Sequence, residues 1–365
     1  MRAVTVGKGG AVGRRGSRCC SGRTGGPTGG VLPWFLSLLW VVLLGAAAAA
    51  GAFAAGTAGA PAAGVPAGAG SGEDGFPFPL VDTWGRTVVL PAPPRRIVTV
   101  GPALTEMLFA LGAGSLVVGV DQFSDYPPAA RSLPSVGTLT HPSLDRIVAL
   151  APDLVLVDSM AAGAVPRLEA LRIPVAVITP PHVGGVLEAL LLLGRAVGRP
   201  EEAAELVRAL EARLMAVRER VAAVPEGQRV RVFHEIWPDP PYTAGPGSFV
   251  HDVIRWAGGV NIASDAAAPW IQLSLEAIIA RDPDVIVTTR EAHRDQLLRG
   301  GRPRWETLRA VRSGRVYFIE DDWVSRPGPR VVDGVEAMAR ALYPHLFPEH
   351  VGAGAGTDGA AAGSR

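Results

Sequence analysis

The first half of the chain alternates short apolar runs with stretches of helical periodicity. Residues 78–90, FPLVDTWGRTVVL, predict a β-hairpin that turns near Trp84 and Gly85. Apolar runs short enough to be buried strands follow at 97–100, 117–120, 154–157 and 175–178. Helices are predicted at 105–111, 143–150 and 165–171. Because such strands alternate with helices, we expect a mainly parallel sheet that is covered on both faces.

The second half of the chain repeats this kind of alternation. Apolar runs at 230–236, 285–288 and 316–319 predict three more buried strands. Helical periodicity is found at 249–257, 275–280, 305–311 and 331–343. The sequence therefore predicts two α/β units in succession.

A strongly helical region at 186–224 separates the two halves and is broken between Gly198 and Pro200. Its second part begins with Pro200, Glu201 and Glu202, and both proline and acids are favourable in a first helical turn. About 24 residues at 1.5 Å each would form a rod of roughly 36 Å. We therefore predict an N-terminal lobe at 76–182, an interlobe helical segment at 183–225 and a C-terminal lobe at 226–348, with limited hinge motion.

One segment occurs once in each predicted lobe. Residues 143–157 read SLDRIVALAPDLVLV and residues 274–288 read SLEAIIARDPDVIVT, with six of 15 positions identical. In each copy a serine caps a helix, an acid follows two positions later, Pro-Asp ends the helix and a buried strand begins. Repetition of a whole helix–strand unit predicts two lobes with similar connectivity.

The repeat places Asp145 and Glu276 at equivalent positions in a first helical turn. A carboxylate there is stabilised by exposed N–H groups and the helix dipole, by roughly 0.3–1 kcal/mol, and needs no further role. If the lobes pack as a pseudo-symmetric pair, however, the two acids lie on matching edges of one face. Two separated carboxylates could then bind arginines of a partner protein.

The N-terminal region has the character of a targeting segment. Basic residues precede an uncharged, largely apolar stretch at 31–56; they are Arg14, Arg15, Arg18 and Arg23. This order predicts a secretory signal, and the stretch is also long enough to span a bilayer if it is retained. We expect residues 1–60 to be a signal peptide or membrane anchor, residues 61–75 a flexible linker and residues 349–365 a disordered tail. The folded part would then lie outside the cytoplasm.

Composition narrows the possible functions. With 365 residues and 48% hydrophobic content, the chain can bury a large core. A net charge of +1 gives no broad field that would favour nucleic acid. Cys19 and Cys20 both precede the apolar stretch, so we expect neither disulfides nor thiolate sites in the folded part, and no lipoprotein cysteine follows the stretch. Lys8 is the only lysine, which excludes a P-loop lysine from the folded part.

The sequence contains no recognisable catalytic motif. There is no nucleophile elbow, no Cys–His pairing and no zinc-binding histidine motif. Ser248 and His251 lie three residues apart at a predicted helix start, where Ser248 is better interpreted as an N-cap. The glycines of GAGSLVVG at 112–119 lack the spacing of a dinucleotide-binding loop. We therefore expect a binding protein and not an enzyme.

Several segments resemble one class of transport protein. They are PRRIVTVGPALTEMLFALGAG, VVGVDQFSDYPPAA, PPYTAGPGSFVHDVIRWAGGVNI and APWIQLSLEAI, together with the repeat. They resemble the substrate-binding proteins of ABC importers for cobalamin, haem and ferric siderophores, most closely the cobalamin type, over about 82–347. The resemblance implies an α/β fold of two Rossmann-like lobes that are joined by a single long backbone helix, with a ligand cleft between the lobes.

The resemblance also implies a ligand and partners. The implied ligand is cobalamin, with haem or a ferric siderophore as alternatives, and a structural or sensory module is a third alternative; no cofactor is implied. The implied partners are an ABC permease dimer and its ATPase subunits, no nucleic acid, and a membrane if the N-terminal segment is retained, for a protein acting as a monomer. Asp145 and Glu276 would dock on permease arginines, although the family more often has Glu at the first of these positions.

The family's pocket residues can be carried over by motif. SDYP brings Phe123 and Tyr126 to the wall of the N-terminal lobe, although ordinary core packing is the stronger expectation for Tyr126. PPYT and APW bring Tyr242 and Trp270 to the opposite wall, and DDWVSR brings Asp322 and Arg326 to the polar edge of the corrin. Aromatic walls suit a large flat macrocycle.

Two departures from the family pattern keep the ligand open. Leu139 and Asp158 stand where the family has tryptophans. His141, and His234 with Glu235 at a strand edge, could instead serve haem or a metal.

Overall fold

The computed structural model describes residues 75–348. The predicted signal peptide or anchor, all of the predicted linker but Gly75, and the predicted tail lie outside these residues. Among the helices of 75–348, none combines the length and the apolar character that crossing a membrane requires.

The N-terminal lobe is built on a four-stranded parallel sheet. A hairpin of β1 and β2 precedes it and turns at Trp84–Gly85 as predicted, and its strands are Phe78–Val81 and Thr87–Leu90. The sheet contains β3 (Ile97–Val100), β4 (Val117–Val120), β5 (Leu154–Val157) and β6 (Val175–Val177) in the order β4-β3-β5-β6. The helices between them are α1 (Pro102–Ala110), α2 (Leu144–Ala149) and α3 (Val165–Ala170).

Two helices connect the lobes. They are α4 (Val183–Ala196) and α5 (Pro200–Ala222), the second of which has 23 residues. Gly198, with φ +71°, leaves the right-handed helical region, and Pro200 begins α5. A Cβ on Gly194 would lie 2.3 Å from the Cβ of Ala203, so the two helices approach closely only because this position is glycine.

The C-terminal lobe has a second parallel sheet and an additional small antiparallel one. Its strands are β7 (Arg231–Glu235), β8 (Trp237–Pro238), β9 (Pro241–Ala244), β10 (Val260–Asn261), β11 (Trp270–Gln272), β12 (Val285–Thr288) and β13 (Val316–Phe318). Its helices are α6 (Phe249–Trp256), α7 (Leu275–Arg281), α8 (Glu291–Leu298), α9 (Arg309–Arg312), α10 (Asp321–Ser325) and α11 (Val331–Leu342). The parallel sheet has the order β10-β7-β12-β13, and the antiparallel sheet has the order β11-β9-β8.

The repeated segment occupies the same place in both lobes. It forms α2 and β5 in one lobe and α7 and β12 in the other. Strand β5 lies beside β3, and β12 lies beside β7; we call β3 and β7 the central strands of their sheets. The Pro-Asp aspartates also have equivalent roles. Asp153 accepts hydrogen bonds from the N–H groups of Arg95 and Arg96 just before β3, and Asp284 accepts one from Arg231 at the start of β7. The predicted two-lobed α/β fold is confirmed; the lobe limits 76–182 and 226–348 stay predictions.

Some predicted elements differ from the structure. The single helix predicted at 305–311 is wrong, because Leu308 is extended (φ −67°, ψ 137°) and divides a 3₁₀ turn at Trp305–Thr307 from α9. The sequence did not predict β8 to β11, α8 or α10. These strands are two to four residues long, and β8 and β9 contain prolines, which leaves little periodicity to detect.

Three hydrophobic clusters hold these layers together. The largest packs one face of both parallel sheets against α1, α4, α5, α6 and α11. The other face of each sheet packs on the helices of its own lobe, as with Val155 against Ile147 and Phe233 against Trp305. The two lobes therefore share a helical layer with a continuous core.

Candidate functional site

The carboxyl ends of the two parallel sheets face each other. Arg326, which follows β13 and α10, lies with Nη1 2.9 Å from Oδ1 of Asp125, which follows β4. The Cζ of Arg330 lies 4.0 Å from the ring centroid of Tyr126 in the same loop. Ligands of open α/β sheets bind at the carboxyl ends of the strands, so this opposition defines the candidate cleft.

In the N-terminal lobe a buried aspartate shapes the cleft wall. Asp121 accepts hydrogen bonds from the N–H of Gly101 (2.9 Å), the N–H of Phe123 (2.8 Å) and the hydroxyl of Ser124 (2.7 Å). These bonds fasten the loop after β4 to the end of β3. The Phe123 side chain extends from this loop and is 48% exposed.

In the C-terminal lobe, exposed aromatic residues lie on the small antiparallel sheet. Trp237 pairs with Tyr242 across β8 and β9, and Trp270 pairs with Ala244 across β11 and β9. Because alternate residues of a strand lie on one face, the register places these three aromatic residues on the same face. All three are at least 37% exposed. Gly245 allows β9 and β11 to converge, since a Cβ there would lie 2.4 Å from the carbonyl oxygen of Ala268.

Charged side chains also join the two lobes. We call this group the interlobe ion cluster; its members are Glu106, Asp125, Asp322, Arg326 and Arg330. Glu106 of α1 is 3% exposed and accepts from Nε and Nη2 of Arg330, at 2.9 and 2.5 Å, and from Nη1 of Arg326 at 3.4 Å. Asp322 forms an ion pair with Arg326, with its Oδ1 2.8 Å from Nε.

The charges of this cluster stabilise one another. Burial raises the pKa of Asp125, but the hydrogen bond and positive charge of Arg326 outweigh it and hold that pKa below its ordinary value. Burial lowers the pKa of Arg330, but Glu106 and Asp322 raise it by more, so this guanidinium stays protonated.

The two acids of the repeat are exposed in the first turns of α2 and α7. Ser143 and Ser274 cap these helices, with their hydroxyls accepting from N–H groups three residues on. Glu276 forms an ion pair with Arg304 at 2.7 Å, and the hydrogen bond from Arg304 lowers the pKa of this carboxyl. Asp145 has no ion-pair partner within 75–348.

The family model for periplasmic binding proteins matches residues 97–323, more than half of the chain. The chain belongs to the periplasmic binding protein family. Its two facing lobes are therefore those of an extracytoplasmic substrate-binding protein of the ABC-importer kind, and not those of an enzyme.

Individual relatives of this periplasmic binding protein agree with that assignment. An uncharacterized ABC transporter substrate-binding lipoprotein of Bacillus subtilis is 31% identical over 280 residues, covering 75% of this chain and 88% of the relative. The vitamin B12-binding protein of Salmonella paratyphi A is 34% identical over 249 residues, covering 68% and 90%. The structure of a periplasmic haem-binding protein from Roseiflexus sp. RS-1 has a TM-score of 0.61 and 28% identity, covering 69% of this chain and 99% of that one.

The residues carried over by motif have different surroundings in this periplasmic binding protein. Phe123, Tyr242 and Trp270 are exposed aromatic side chains. Tyr126, for which core packing was the stronger expectation, is 43% exposed instead; it lies against Arg330 and lines a cavity of about 320 Å³ between α1, α5 and α11. Asp322 and Arg326 are members of the interlobe ion cluster, so part of their hydrogen-bonding capacity is used by protein groups.

The residues that depart from the family pattern are also placed. Leu139 packs against the outer core of the N-terminal lobe. Asp158 caps the turn that follows β5, accepting from the N–H of Met160 at 2.8 Å. His141 is exposed, with Nδ1 2.9 Å from the hydroxyl of Thr140.

The expectation that His234 and Glu235 lie at a strand edge is wrong. Both are fully buried in β7, an inner strand of its sheet, and they point to opposite faces because they are consecutive. Glu235 pairs with Arg302, and the His234 ring has no hydrogen-bond partner. Within 75–348 no group of three or more His, Cys, Asp or Glu side chains is arranged to hold a metal ion.

Sequence reasoning missed three residues of this site. Trp237 was not selected, although WPDPP between two strands is a turn signal that could have suggested a hairpin. Arg290 lies over the Trp237 ring, with Cζ 5.7 Å from its centroid. Glu106 gave no signal, because its arginine partners lie more than 200 residues away along the chain.

Proposed function

We propose that this protein captures a corrinoid of the cobalamin type between its lobes, acting as a monomer, and delivers it to an ABC permease. The observation that carries the proposal is the exposed aromatic face of Trp237, Tyr242 and Trp270 in the C-terminal lobe, together with the exposed Phe123 of the N-terminal lobe. Flat aromatic rings bury a large area with little loss of side-chain freedom, which suits a wide macrocycle. The identity to a vitamin B12-binding protein, 34%, supports the same ligand.

Haem is the second candidate ligand. The similarity to a haem-binding structure favours it, and the exposed His141 and Tyr242 are the groups that could ligate iron.

The proposal for Arg326 and Asp322 is the same with either ligand. They would meet the polar edge of the macrocycle with whatever hydrogen-bonding capacity the interlobe ion cluster leaves free.

Direct binding to the full chain separates these ligands. We expect cyanocobalamin to bind in calorimetry, and haemin to give no specific shift of its absorbance band. Trp270→Ala should weaken cyanocobalamin binding by about 2 kcal/mol, roughly thirtyfold in Kd, as for a buried aromatic anchor. Trp256→Ala is the matched control, because Trp256 lies in α6 against Arg218 and outside the aromatic face. If haemin binds tightly and cyanocobalamin does not bind, the corrinoid proposal is wrong and haem becomes the proposed ligand.

We further propose that Asp145 and Glu276 dock on permease arginines. Both are exposed at equivalent positions of the two lobes, which supports a partner with two related subunits. The double change Asp145→Lys and Glu276→Lys should leave ligand binding intact and abolish uptake into vesicles that contain the permease. Glu201→Lys with Glu202→Lys is the control, because it reverses exposed first-turn acids of α5 at a similar cost to the helix. Undiminished uptake by the first double variant would refute the docking role.

A further inference from the structure

We propose that Glu106 is the positioning residue that sets the separation of the two lobes. It belongs to the N-terminal lobe, and the arginines it holds belong to the C-terminal lobe. The inference deepens the proposed function and rests on it in one respect: it takes the cleft between the lobes to be the ligand site.

The hydrogen bonds of Glu106 run only between the lobes. Its Oε2 accepts from Nε of Arg330 at 2.9 Å, and its Oε1 accepts from Nη2 of Arg330 at 2.5 Å and Nη1 of Arg326 at 3.4 Å. A carboxylate buried this deeply is stable only if it is paired, and removal of its charge would leave two guanidinium groups short of a partner. The paired geometry is therefore strongly preferred.

The other two acids of the interlobe ion cluster join the lobes less. Asp125 accepts one hydrogen bond from Arg326, at 2.9 Å, and is half exposed. Asp322 lies in the same lobe as both arginines, so its contacts do not join the lobes. Glu106 is the member that binds both arginines across the interface.

The backbone that carries the two arginines lies directly on α1. Residues 326–330 read RPGPR, and the two prolines restrict its conformations. A Cβ on Gly328 would lie 3.3 Å from Oε2 of Glu106 and 3.6 Å from the Cα of Ala103. This segment is thus a short, stiff second connection between lobes that the chain itself joins through α4 and α5.

Two separate attachments restrict the lobes more than one does. Without the interlobe ion cluster, the lobes would be joined mainly through the shared helical layer, about which we expect some tilt. The contact at Glu106 restricts that tilt and holds the aromatic walls at a constant spacing before ligand arrives. A preformed gap lowers the ordering cost of binding and slows ligand release.

The distance between the lobes can be measured without any ligand. We would label the full chain with nitroxides at Leu171→Cys and Leu298→Cys, two exposed positions on α3's end and α8, after replacing Cys19 and Cys20 by serine. Pulsed electron spin resonance should give one narrow distance distribution for the otherwise unchanged chain. Glu106→Gln should broaden and shift that distribution, and Arg326→Gln should do so to a smaller extent.

A matched control separates positioning from general stability. Glu336 also accepts from two arginines, Arg213 and Arg340, but all three lie on α5 and α11, and within 75–348 no hydrogen bond or ion pair joins their side chains to the N-terminal lobe. Glu336→Gln should therefore leave the distance distribution unchanged. Equal effects of Glu106→Gln and Glu336→Gln, or an unchanged distribution in folded Glu106→Gln, would overturn the proposal. If Glu106→Gln fails to fold, Arg326→Gln takes its place: a distance distribution that differs from that of Glu336→Gln supports the proposal, and an unchanged one overturns it.

Ligand release provides the second readout. We expect Glu106→Gln to release cyanocobalamin about tenfold faster than the unchanged chain, since the walls no longer hold one spacing. An unchanged release rate despite a shifted distribution would refute the link to binding. If the unchanged chain binds no cyanocobalamin while Glu106→Gln still shifts the distance, the positioning role stands and the proposed ligand fails.

Discussion

The two lobes are built on one plan and differ mainly where their parallel strands end. In both, the central strand is flanked by the strand of the repeated segment, and a Pro-Asp aspartate accepts hydrogen bonds from the backbone where the central strand begins. After β3 the N-terminal lobe passes directly into α1, whereas after β7 the C-terminal lobe inserts β8 and β9 before α6. The insertion carries Trp237 and Tyr242. The shared plan thus provides the scaffold, and the difference between the lobes provides the candidate ligand surface.

The sheet registers extend the comparison to single residues. Ile97 pairs with Leu154 and Val232 pairs with Val285, so Thr99 and His234 occupy equivalent positions in the two central strands. Both are fully buried. Thr99 shares a hydrogen bond with Thr105 at 2.7 Å, whereas neither ring nitrogen of His234 has a partner. The N-terminal lobe satisfies its buried polar group at this position, and the C-terminal lobe does not.

The largest expected effect is a pH dependence of the free energy of unfolding that His234 causes and Thr99 does not. Burial lowers the pKa of His234 from 6.5 to about 4, against a small opposing effect of Asp321. Below pH 6.5 His234 binds a proton in the unfolded chain but stays neutral in the folded chain. Its contribution to the free energy of unfolding is therefore lost as pH falls from about 6.5 to 4, and it is constant above that range. The loss attributable to this residue would approach about 3 kcal/mol.

Urea unfolding at pH 7.5 and 4.5 measures this loss. His234→Leu should remove most of it, while His141→Leu, at an exposed histidine, should not. His251 and His293 also have pKa values lowered by burial, so some pH dependence should remain in both variants. If His234→Leu loses as much unfolding free energy between pH 7.5 and 4.5 as the unchanged chain, the buried His234 ring is not the cause of the loss.

A smaller effect on the free energy of unfolding is expected from the Pro-Asp aspartates, which occur in both lobes. Asp153→Ala and Asp284→Ala each remove acceptors of backbone N–H groups at the start of a central strand. Because both sites are solvent-accessible, we expect each change to lower the free energy of unfolding by about 1 kcal/mol. Urea unfolding at pH 7.5 measures both variants. A loss in only one of them would mean that the aspartates are equivalent in sequence and not in role.

The smallest effect concerns the two proposed docking acids. Glu276 is paired with Arg304, whereas Asp145 is not paired within 75–348. Docking would have to replace the Arg304 contact by a permease arginine, so Arg304→Ala should raise affinity for the permease by up to about fivefold, the value of an exposed ion pair. Binding to the permease in nanodiscs measures this effect.

Arg294→Ala is the control for that measurement, because it breaks exposed ion pairs with Glu291 and Asp295 on α8. Weaker binding by Arg304→Ala would mean that Arg304 itself contacts the partner. Both results should be compared at low and high salt, since exposed pairs are screened.

The sequence was sufficient to predict the scaffold. The buried strands, the long helix and the repeated segment all depend on local periodicity and capping, and the strands at 97–100, 117–120, 154–157 and 285–288 have the predicted bounds. The small antiparallel sheet could not be predicted, since its strands are short and are stabilised by pairing with one another. The same limit applies to Glu106, whose surroundings are created only when segments distant in sequence meet.

The helical layer between the sheets has a consequence for unfolding. Its apolar contacts continue from α1 through α4 and α5 to α6 and α11 without a boundary at which one half could detach. Heating should therefore melt both halves in a single cooperative transition, even though the chain is organised as a duplicated pair. A protease that cuts within α5 would be expected to release neither half in folded form.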